Sequence, residues 1–312
     1  MASATVAGDD LGVGYSDTPQ VSAKTHSLIA DYIALTKPAI ISLLLVTAVG
    51  GMFLAAQGLP PWHLLLAVLV GGYLAAGGAN ALNHFWDRDI DQVMPRTRRR
   101  PVASHRVTPG RALVFGLALN VLAFAVLALV ANVLSAALAI GGTLVYMLVY
   151  TMWLKRTSMQ NIVIGGAAGS FPPLVGWAAV TGRLDLPAYY LFLIIFFWTP
   201  PHFWALSLLI QDDYAAAKIP MMPVVLGRQA TVWSIFLYTI ALIAISALLF
   251  STGAVGTYYL VAALVLGGFF VYYTVRLLRD DRRVAAANAY KYSLLYLFLL
   301  FVVVMIDASL PR

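Results

Sequence analysis

The sequence predicts an all-α membrane protein with nine transmembrane helices, and three observations carry this prediction. Hydrophobic residues make up 61% of the 312 residues and charged residues only 11%, whereas soluble domains contain about 45–50% and about 25%. The apolar residues occur in runs long enough to cross a bilayer core of roughly 30 Å. The basic residues gather in alternate loops. Cysteine is absent, which excludes a disulfide framework and a thiolate metal site.

The N-terminal residues 1–26 are polar and lack an apolar core. They match neither a secretory signal nor an Arg-rich transit peptide. We therefore predict a disordered cytoplasmic tail, followed by one transmembrane domain of residues 27–312.

The segment that follows the tail, SLIADYIALTKP, predicts a short helix at the membrane interface. Leu28, Tyr32 and Leu35 would share one face of this helix. Pro38 would end it, because the residue before a proline disfavours the helical conformation.

Nine apolar runs follow, each close to the roughly 20 residues that a transmembrane helix needs. The joints between the third and fourth runs, at Asn132, and between the seventh and eighth are the shortest. The nine runs span residues 39–57, 62–82, 112–131, 133–153, 161–180, 187–209, 231–251, 254–275 and 292–308.

The distribution of basic residues supports nine spans. With the N-terminus in the cytoplasm, 18 of the 20 Lys and Arg residues lie on the cytoplasmic side, and only Arg183 and Arg312 lie outside. The positive-inside rule predicts such an asymmetry, so we expect a cytoplasmic N-terminus and an outward C-terminus. Topology thus explains most of the net charge of +7. The expected partner of these charges is the lipid bilayer, and nucleic acid is not expected.

An acidic motif, NALNHFWDRDID, ends the second apolar run. On a helix that continues past the membrane surface, Asn83, Asp87 and Asp91 lie four residues apart on one face. Carboxylate and amide oxygens without cysteine suit Mg²⁺. Asp89 points away from this face, and we expect it to pair with Arg88 or Arg96.

A basic stretch follows the acidic motif and contains Arg96 and Arg100. One guanidinium group can donate two parallel hydrogen bonds to phosphate oxygens. Mg²⁺ bound by the carboxylates beside these arginines would therefore form a diphosphate site. The spacing alone equally permits a second interpretation, in which the arginines enforce topology and the acids cap a helix or offset charge.

A second acidic loop, IQDDYAAAKIPMMPVVLGRQ, follows the sixth apolar run on the same predicted side. Its acids are Asp212 and Asp213, and Lys218 comes shortly after them. Two such loops, four spans apart, suggest a diverged repeat whose halves face each other and hold two metal ions. Lys155 and Arg156, also on this side, would either add to the phosphate field or anchor the topology.

These motifs carry a family resemblance. NxxxDRDID followed by RTRRRP resembles the UbiA superfamily of intramembrane prenyltransferases. The stretches at 153–182 and 196–225, which include TPPHFWAL and DDYAAA, resemble its haem O synthase (protohaem IX farnesyltransferase) branch. The resemblance extends from about Thr36 to Arg228.

The resemblance implies a UbiA-type bundle around a central cavity and a Mg²⁺-dependent reaction. A farnesyl group would pass from farnesyl diphosphate to a vinyl group of haem b, giving haem O. The resemblance also implies a prokaryotic plasma membrane as location, and haem A synthase or oxidase assembly factors as partners. The implied roles are metal binding and catalysis for Asn83, Asp87, Asp91 and Asp213, metal binding also for Asp212, and diphosphate binding for Arg96 and Arg100. Lys218 departs from the family's pattern, and we expect it to bind the diphosphate through its charge, together with Lys155 and Arg156.

A histidine lies in the sixth apolar run, in the sequence TPPHFW. Pro200 and Pro201 are expected to kink or break the helix there. His202 would then either contact haem or form a hydrogen bond with a carbonyl group that the prolines leave free. In the preceding run, GGAAGS at 165–170 favours close helix packing over the alternative, the floor of a cavity.

Two other functions are compatible with parts of this sequence. A prenyltransferase acting on an aromatic quinone precursor would share the acidic motifs, and the PPHFW sequence argues against it. A transporter with acidic cytoplasmic gates would place its charges near the bilayer midplane. Nearly all acids of this chain lie in loops or at the ends of spans, which favours an enzyme.

Overall fold

The computed structural model describes residues 27–311, and these fold into thirteen helices without a strand. The predicted tail at 1–26 and Arg312 lie outside the described residues. The helices are α1 Leu28–Thr36, α2 Pro38–Ala56, α3 Trp62–Trp86, α4 Arg88–Val93, α5 Pro109–Val130, α6 Val133–Thr157, α7 Asn161–Thr181, α8 Leu186–Leu209, α9 Gln211–Ala216, α10 Met222–Val225, α11 Gly227–Thr252, α12 Thr257–Arg279 and α13 Arg283–Ala308.

Nine of the helices within residues 27–311 are long and apolar enough to span a membrane, which confirms the predicted number. The short joint between α5 and α6 is a true turn, because Asn132 caps α6. Its side-chain oxygen accepts from the Ser135 N–H at 2.8 Å, and its amide donates to the Ala178 carbonyl at 2.7 Å. The protein is therefore a multi-pass membrane protein with an all-α fold, as predicted.

The predicted start of the last span is wrong by nine residues. α13 begins at Arg283 rather than at 292, because the intervening residues are rich in alanine, which favours helix. Lys291 consequently lies inside the helix rather than in a loop.

The predicted interfacial helix is present as α1. The Ser27 side chain caps its start by accepting from the Ala30 N–H at 3.1 Å, and the helix ends at Lys37, whose backbone is left-handed with φ 55°. Leu35 is buried, whereas Leu28 is exposed, so the predicted apolar face is only partly covered by the protein. An ion pair of 2.8 Å between Asp31 and Arg106 ties α1 to the first loop.

The spans form a closed bundle. The first span, α2, packs against α7 and also against the last span, α13. At the α2–α7 contact the backbones approach closely. A Cβ atom on Gly176 would lie 1.9 Å from the Ala48 carbonyl oxygen, and one on Gly51 would lie 2.4 Å from that of Pro173. Small residues thus set this packing. The central cavity stays a prediction.

The basic loops meet at one end of the bundle. Arg228, at the start of α11, forms an ion pair of 3.0 Å with Asp281 of the α12–α13 loop. Arg283 donates to the Leu209 carbonyl at the end of α8. These contacts agree with the alternating topology that the basic residues predict, while the side of the membrane that this end faces stays a prediction.

Candidate functional site

The acidic motif lies at the junction of α3 and α4 and stays in helical register. The Asp87 N–H donates to the Asn83 carbonyl, and the Asp91 N–H donates to the Asp87 carbonyl, both at 2.9 Å. All three side chains are buried, with 3%, 0% and 2% of their surface exposed. The structure thus places the three residues on one face, as their spacing predicts.

A π-helical segment of α6, Val145–Leu154, runs beside this face. The Asn83 amide donates to the Thr151 hydroxyl at 3.3 Å and to Asp87 at 2.6 Å. One turn further, the Lys155 ammonium group pairs with the carboxylate of Asp87. π-Helical turns are frequent at functional sites, and this one brings a hydroxyl and a cation onto the acidic motif.

Each buried carboxylate of the motif has a basic partner. Arg100 donates to both oxygens of Asp91, at 2.8 and 2.9 Å. Asp87 pairs with Lys155, and a guanidinium nitrogen of Arg156 lies 3.6 Å from the other oxygen of Asp87. Because a buried, unpaired carboxylate is costly, these cations allow acids to lie inside the bundle. They are three of the residues predicted to bind diphosphate.

The prediction that Asp89 pairs with Arg88 or Arg96 is wrong. Asp89 pairs with Arg156 of α6, at 2.7 and 2.8 Å, rather than with Arg88 or Arg96. Hydrogen bonds from Arg156 lower the pKa of Asp89 to about 2. Arg88 donates instead to the Phe85 carbonyl at 2.7 Å. Arg156 is thus shared between the buried Asp87 and the exposed Asp89.

Sequence reasoning missed Lys37, which it assigned to topology alone. The Lys37 ammonium group lies 3.3 Å from the side-chain oxygen of Asn83. Burial and the neighbouring charges of Arg100 and Lys155 hold its pKa well below the usual value. A lysine at the start of a first span is common in membrane proteins, so the sequence contained no signal that separated this role from a topological one.

The second acidic loop is more open than the first. Asp212 on α9 is exposed and Asp213 is half-buried. Neither side chain forms an ion pair or a hydrogen bond with another described residue. Lys218 is exposed and has a left-handed backbone with φ 54°. Arg96, in the first loop, is also exposed.

An apolar cluster joins the two acidic loops. Met94 of the first loop, Ile219 of the second and Ile162 of α7 are buried together, and Tyr150 and Tyr214 pack against them. Burial raises the pKa of Tyr214. The predicted approach of the two loops is therefore present.

The first acidic motif fits Mg²⁺, although the described residues hold no ready cluster of three acidic or histidine side chains. Asp87 has one oxygen that is buried without a hydrogen-bond partner. Together with Asn83 and Asp91 it offers hard oxygen ligands on one face. Asp212 and Asp213 do not complete this group, so the second metal ion stays a prediction.

His202 lies in a closed aromatic box on α8. Its ring stacks between Trp198, with a centroid distance of 4.3 Å, and Tyr290, at 4.9 Å. Its Nδ1 lies 2.7 Å from the Ser293 hydroxyl, which donates to the Tyr290 carbonyl at 2.6 Å. Since that hydroxyl has one proton, Nδ1 must donate, and Nε2 of the neutral ring keeps its lone pair.

α8 runs without interruption through Pro200 and Pro201, so the prolines do not break the helix, and the alternative of a kink stays a prediction. His202 bonds to the hydroxyl of Ser293 on α13 rather than to a freed carbonyl.

The glycine-rich segment packs closely, as predicted. A Cβ atom on Gly165 would lie 2.4 Å from the Tyr150 ring, and one on Gly166 would lie 2.9 Å from Thr199 of α8. The segment thus holds α7 against both the π-helical segment of α6 and α8.

Known proteins resemble this chain over most of its length. The model of the UbiA prenyltransferase family matches residues 44–302. A protoheme IX farnesyltransferase of Symbiobacterium thermophilum is 53% identical over 288 residues, which cover 92% of this chain and 96% of the relative. One of Roseiflexus castenholzii is 50% identical over 296 residues, which cover 95% of this chain and 55% of the relative. The chain therefore spans about half the length of several curated relatives that it matches.

Solved structures share the fold at low sequence identity. A chain from work on digeranylgeranylglyceryl phosphate synthase has a TM-score of 0.74 at 17% identity and covers 90% of this chain and 98% of its own length. A UbiA homologue from Archaeoglobus fulgidus bound to GPP and Mg²⁺ has a TM-score of 0.63 at 16% identity, with coverage of 88% and 99%. With its family model matched over most of its length, this chain belongs to the UbiA prenyltransferase family.

Proposed function

We propose that the protein transfers a farnesyl group from farnesyl diphosphate to a vinyl group of haem b and so forms haem O. The observation that carries this proposal is the buried acidic motif with its basic partners at one end of an apolar bundle. Such a cluster suits a diphosphate whose prenyl chain lies in the membrane. Relatives named protoheme IX farnesyltransferase, about 50% identical to this chain, support the choice of haem and farnesyl as substrates.

The proposed reaction balances as an alkylation followed by hydration. The bond between farnesyl C1 and the diphosphate oxygen breaks, and its electron pair leaves with the diphosphate. The π electrons of the haem vinyl group form the new carbon–carbon bond. Water then adds to the carbocation that results and loses one proton, which gives the hydroxyl group of the product.

The chain's own residues bind and orient the diphosphate in this proposal. Asp87 and Asp91, with the Asn83 oxygen, would hold Mg²⁺, which would neutralise negative charge on the departing diphosphate. Lys155 and Arg100 now hold the two carboxylates. Once a metal ion takes over that role, they are placed to donate to phosphate oxygens, where charge builds up.

The predicted second half of the site is the second acidic loop. Asp213 and Asp212 lie on the loop that packs against the first one through the Met94 cluster, and Lys218 follows them. We propose that this loop contacts the diphosphate from the opposite side, together with Arg96 of the first loop.

The haem would lie near His202. The hydrogen bond from Nδ1 to Ser293 leaves Nε2 as the nitrogen with a free lone pair, the form in which imidazole binds iron. The rings of Trp198 and Tyr290, which now stack on the imidazole, would have to separate from it for haem to reach Nε2, and they would then supply flat apolar surface of the kind that packs against a tetrapyrrole.

The decisive test incubates the purified protein with haem b, farnesyl diphosphate and Mg²⁺, and analyses the extracted haem by mass spectrometry. We expect a product heavier by one farnesyl group plus one hydroxyl group. Unchanged haem, together with prenylation of an aromatic quinone precursor under the same conditions, would contradict the haem assignment and support the alternative UbiA substrate. Leaving out Mg²⁺ tests the metal requirement.

We also propose a prokaryotic plasma membrane as location, with the N-terminus and the acidic loops in the cytoplasm. The steep asymmetry of basic residues supports this orientation. Haem A synthase or oxidase assembly factors as partners stay predictions from the resemblance.

A further inference from the structure

Unpartnered polar atoms are concentrated at the end of the bundle that carries the acidic motif. Within residues 27–311, eight buried side-chain atoms lack a hydrogen-bond partner. Six of them belong to His84, Asp87, Arg156 and Asn161. Because buried polar atoms are nearly always paired, this concentration points to a polar ligand that completes their bonding.

Asn161 and His84 are the members of this group to which no role in the reaction is assigned above, and Asn161 adjoins the apolar cluster that joins both acidic loops. Asn161 begins α7 and has no exposed surface. Both its amide nitrogen and its amide oxygen are unpartnered. Which of the two atoms is nitrogen does not affect this observation, since neither has a partner.

The surroundings of Asn161 connect it with both acidic loops. The next residue, Ile162, is buried with Met94 of the first loop and Ile219 of the second. One helical turn further, Gly165 lies against the ring of Tyr150. Asn161 therefore lies beside the joint at which the two loops and the π-helical segment meet.

The charges around this joint favour an anionic ligand. Arg156, which precedes Asn161 by five residues, has an unpartnered Nε atom. Arg96 follows Met94 of this joint by two residues, and Lys218 directly precedes Ile219. The only described carboxylates in this region that are buried already have basic partners.

We propose that Asn161 is a further substrate-contacting residue, whose side-chain amide donates a hydrogen bond to an anionic oxygen of the prenyl diphosphate. This inference rests on the proposed function and deepens it. Because Asn161 has no exposed surface, the contact requires a rotation of its side chain or a shift of the adjoining turn at 158–160 when the ligand binds.

Substitution by leucine separates a ligand contact from a structural role. Leucine has the branched skeleton of asparagine, with two bulkier methyl groups in place of the amide oxygen and nitrogen, and it removes two unpartnered buried polar atoms, so the ligand-free variant should be as stable as the wild type or more stable. If the amide instead satisfied a hidden structural partner, the same change would lower the melting temperature of the ligand-free protein.

The experiment measures melting temperature and steady-state kinetics for the wild type, Asn161→Leu and Asn161→Asp, with farnesyl diphosphate and Mg²⁺ as probe. Asp keeps the shape of Asn but its carboxylate cannot donate. We expect both variants to raise the KM for farnesyl diphosphate by about tenfold or more, the value of one hydrogen bond to a charged group. The KM for haem should stay within about twofold, since the contact is to the other substrate.

Trp177→Phe provides the matched control. Trp177 also has an unpartnered buried nitrogen, but it packs in the core of the bundle with Leu174 and Leu191. We expect the KM of the Trp177→Phe protein for farnesyl diphosphate to equal that of the wild type.

Two outcomes would overturn the inference. One is an unchanged KM for farnesyl diphosphate in stable Asn161→Leu and Asn161→Asp proteins. The other is a loss of ligand-free stability in Asn161→Leu with both KM values altered in parallel. If the wild type itself shows neither turnover nor a melting shift with farnesyl diphosphate and Mg²⁺, the proposed function fails instead, which keeps the two failures distinguishable.

Discussion

The ammonium group of Lys37 lies 3.3 Å from the side-chain oxygen of Asn83, and this contact joins the start of the first span to the acidic motif at the end of the second. Lys37 adopts a left-handed backbone between α1 and α2, which turns its side chain into the bundle. The same asparagine contacts Asp87 and Thr151. The motif is therefore held by the start of the first span and by α6.

Replacing Lys37 by methionine should impair the reaction more than the fold. The variant keeps the length of the side chain but loses the donor that orients Asn83, and such supporting contacts are worth about 10- to 100-fold in activity or metal affinity. We expect a fall of that size in kcat/KM for farnesyl diphosphate. Lys291→Met, on the exposed side of α13, is the control and should behave like the wild type. Equal activities of the two variants would remove Lys37 from the site.

Asp87→Asn and Asp91→Asn should each reduce turnover by about 100-fold or more, because each removes an anionic oxygen that the diphosphate site needs. Asp89→Asn should change turnover only a few-fold, since Asp89 lies off the shared face and pairs with Arg156 at the surface. The measurement is the initial rate at saturating Mg²⁺, with circular dichroism to verify folding. Near-normal rates for Asp87→Asn or Asp91→Asn would exclude that residue from the site.

His202→Ala should weaken the binding of haem and leave the affinity for farnesyl diphosphate unchanged. The reason is that Nε2 keeps its lone pair while Nδ1 is engaged with Ser293. A titration followed at the Soret band measures the affinity, and a shifted band in the variant indicates ligation of the iron. Ser293→Ala serves as comparison, because it frees Nδ1 without removing the ring. A stable His202→Ala protein with an unchanged haem spectrum and affinity would remove this role.

Gly176→Ala should destabilise the protein. The added methyl group would lie 1.9 Å from the Ala48 carbonyl oxygen, so α2 and α7 must move apart, at a cost of about 1–3 kcal/mol for overpacking. Thermal unfolding in detergent measures the effect. Gly169→Ala is the control, since a Cβ atom there meets no atom within 4 Å. Identical melting temperatures of the two variants would contradict the close approach of these helices.

Cysteine labelling tests the orientation, because the chain contains no native cysteine. His105→Cys lies in the basic first loop and Leu59→Cys in the opposite loop, and both positions are exposed. An impermeant reagent added to intact cells should label Leu59→Cys only, and His105→Cys should react after the cells are opened. The reverse pattern would invert the predicted topology.

Local patterns were sufficient to predict much of the fold. The number of spans follows from the length and apolarity of each run, and the capping Asn132 separates two runs that almost touch. The predicted start of α13 was wrong because the helix continues through the alanine-rich residues 284–289 and through Lys291, whose charge limited the predicted apolar run. Whether a segment forms a helix depends mainly on its own neighbouring residues. How far that helix continues beyond the membrane depends on the residues against which it packs.

The sequence by itself determined the nine spans, the shared face of Asn83, Asp87 and Asp91, and the resemblance to the UbiA superfamily, because helical periodicity and span length are properties of neighbouring residues. Only the tertiary structure decided the partners of these side chains. Lys37 lies between α1 and α2, and Thr151 and Arg156 come from α6, and no periodicity relates residues that lie 46 to 69 positions apart. Their contacts arise when helices pack, since a buried carboxylate or amide must find partners wherever the folded chain supplies them.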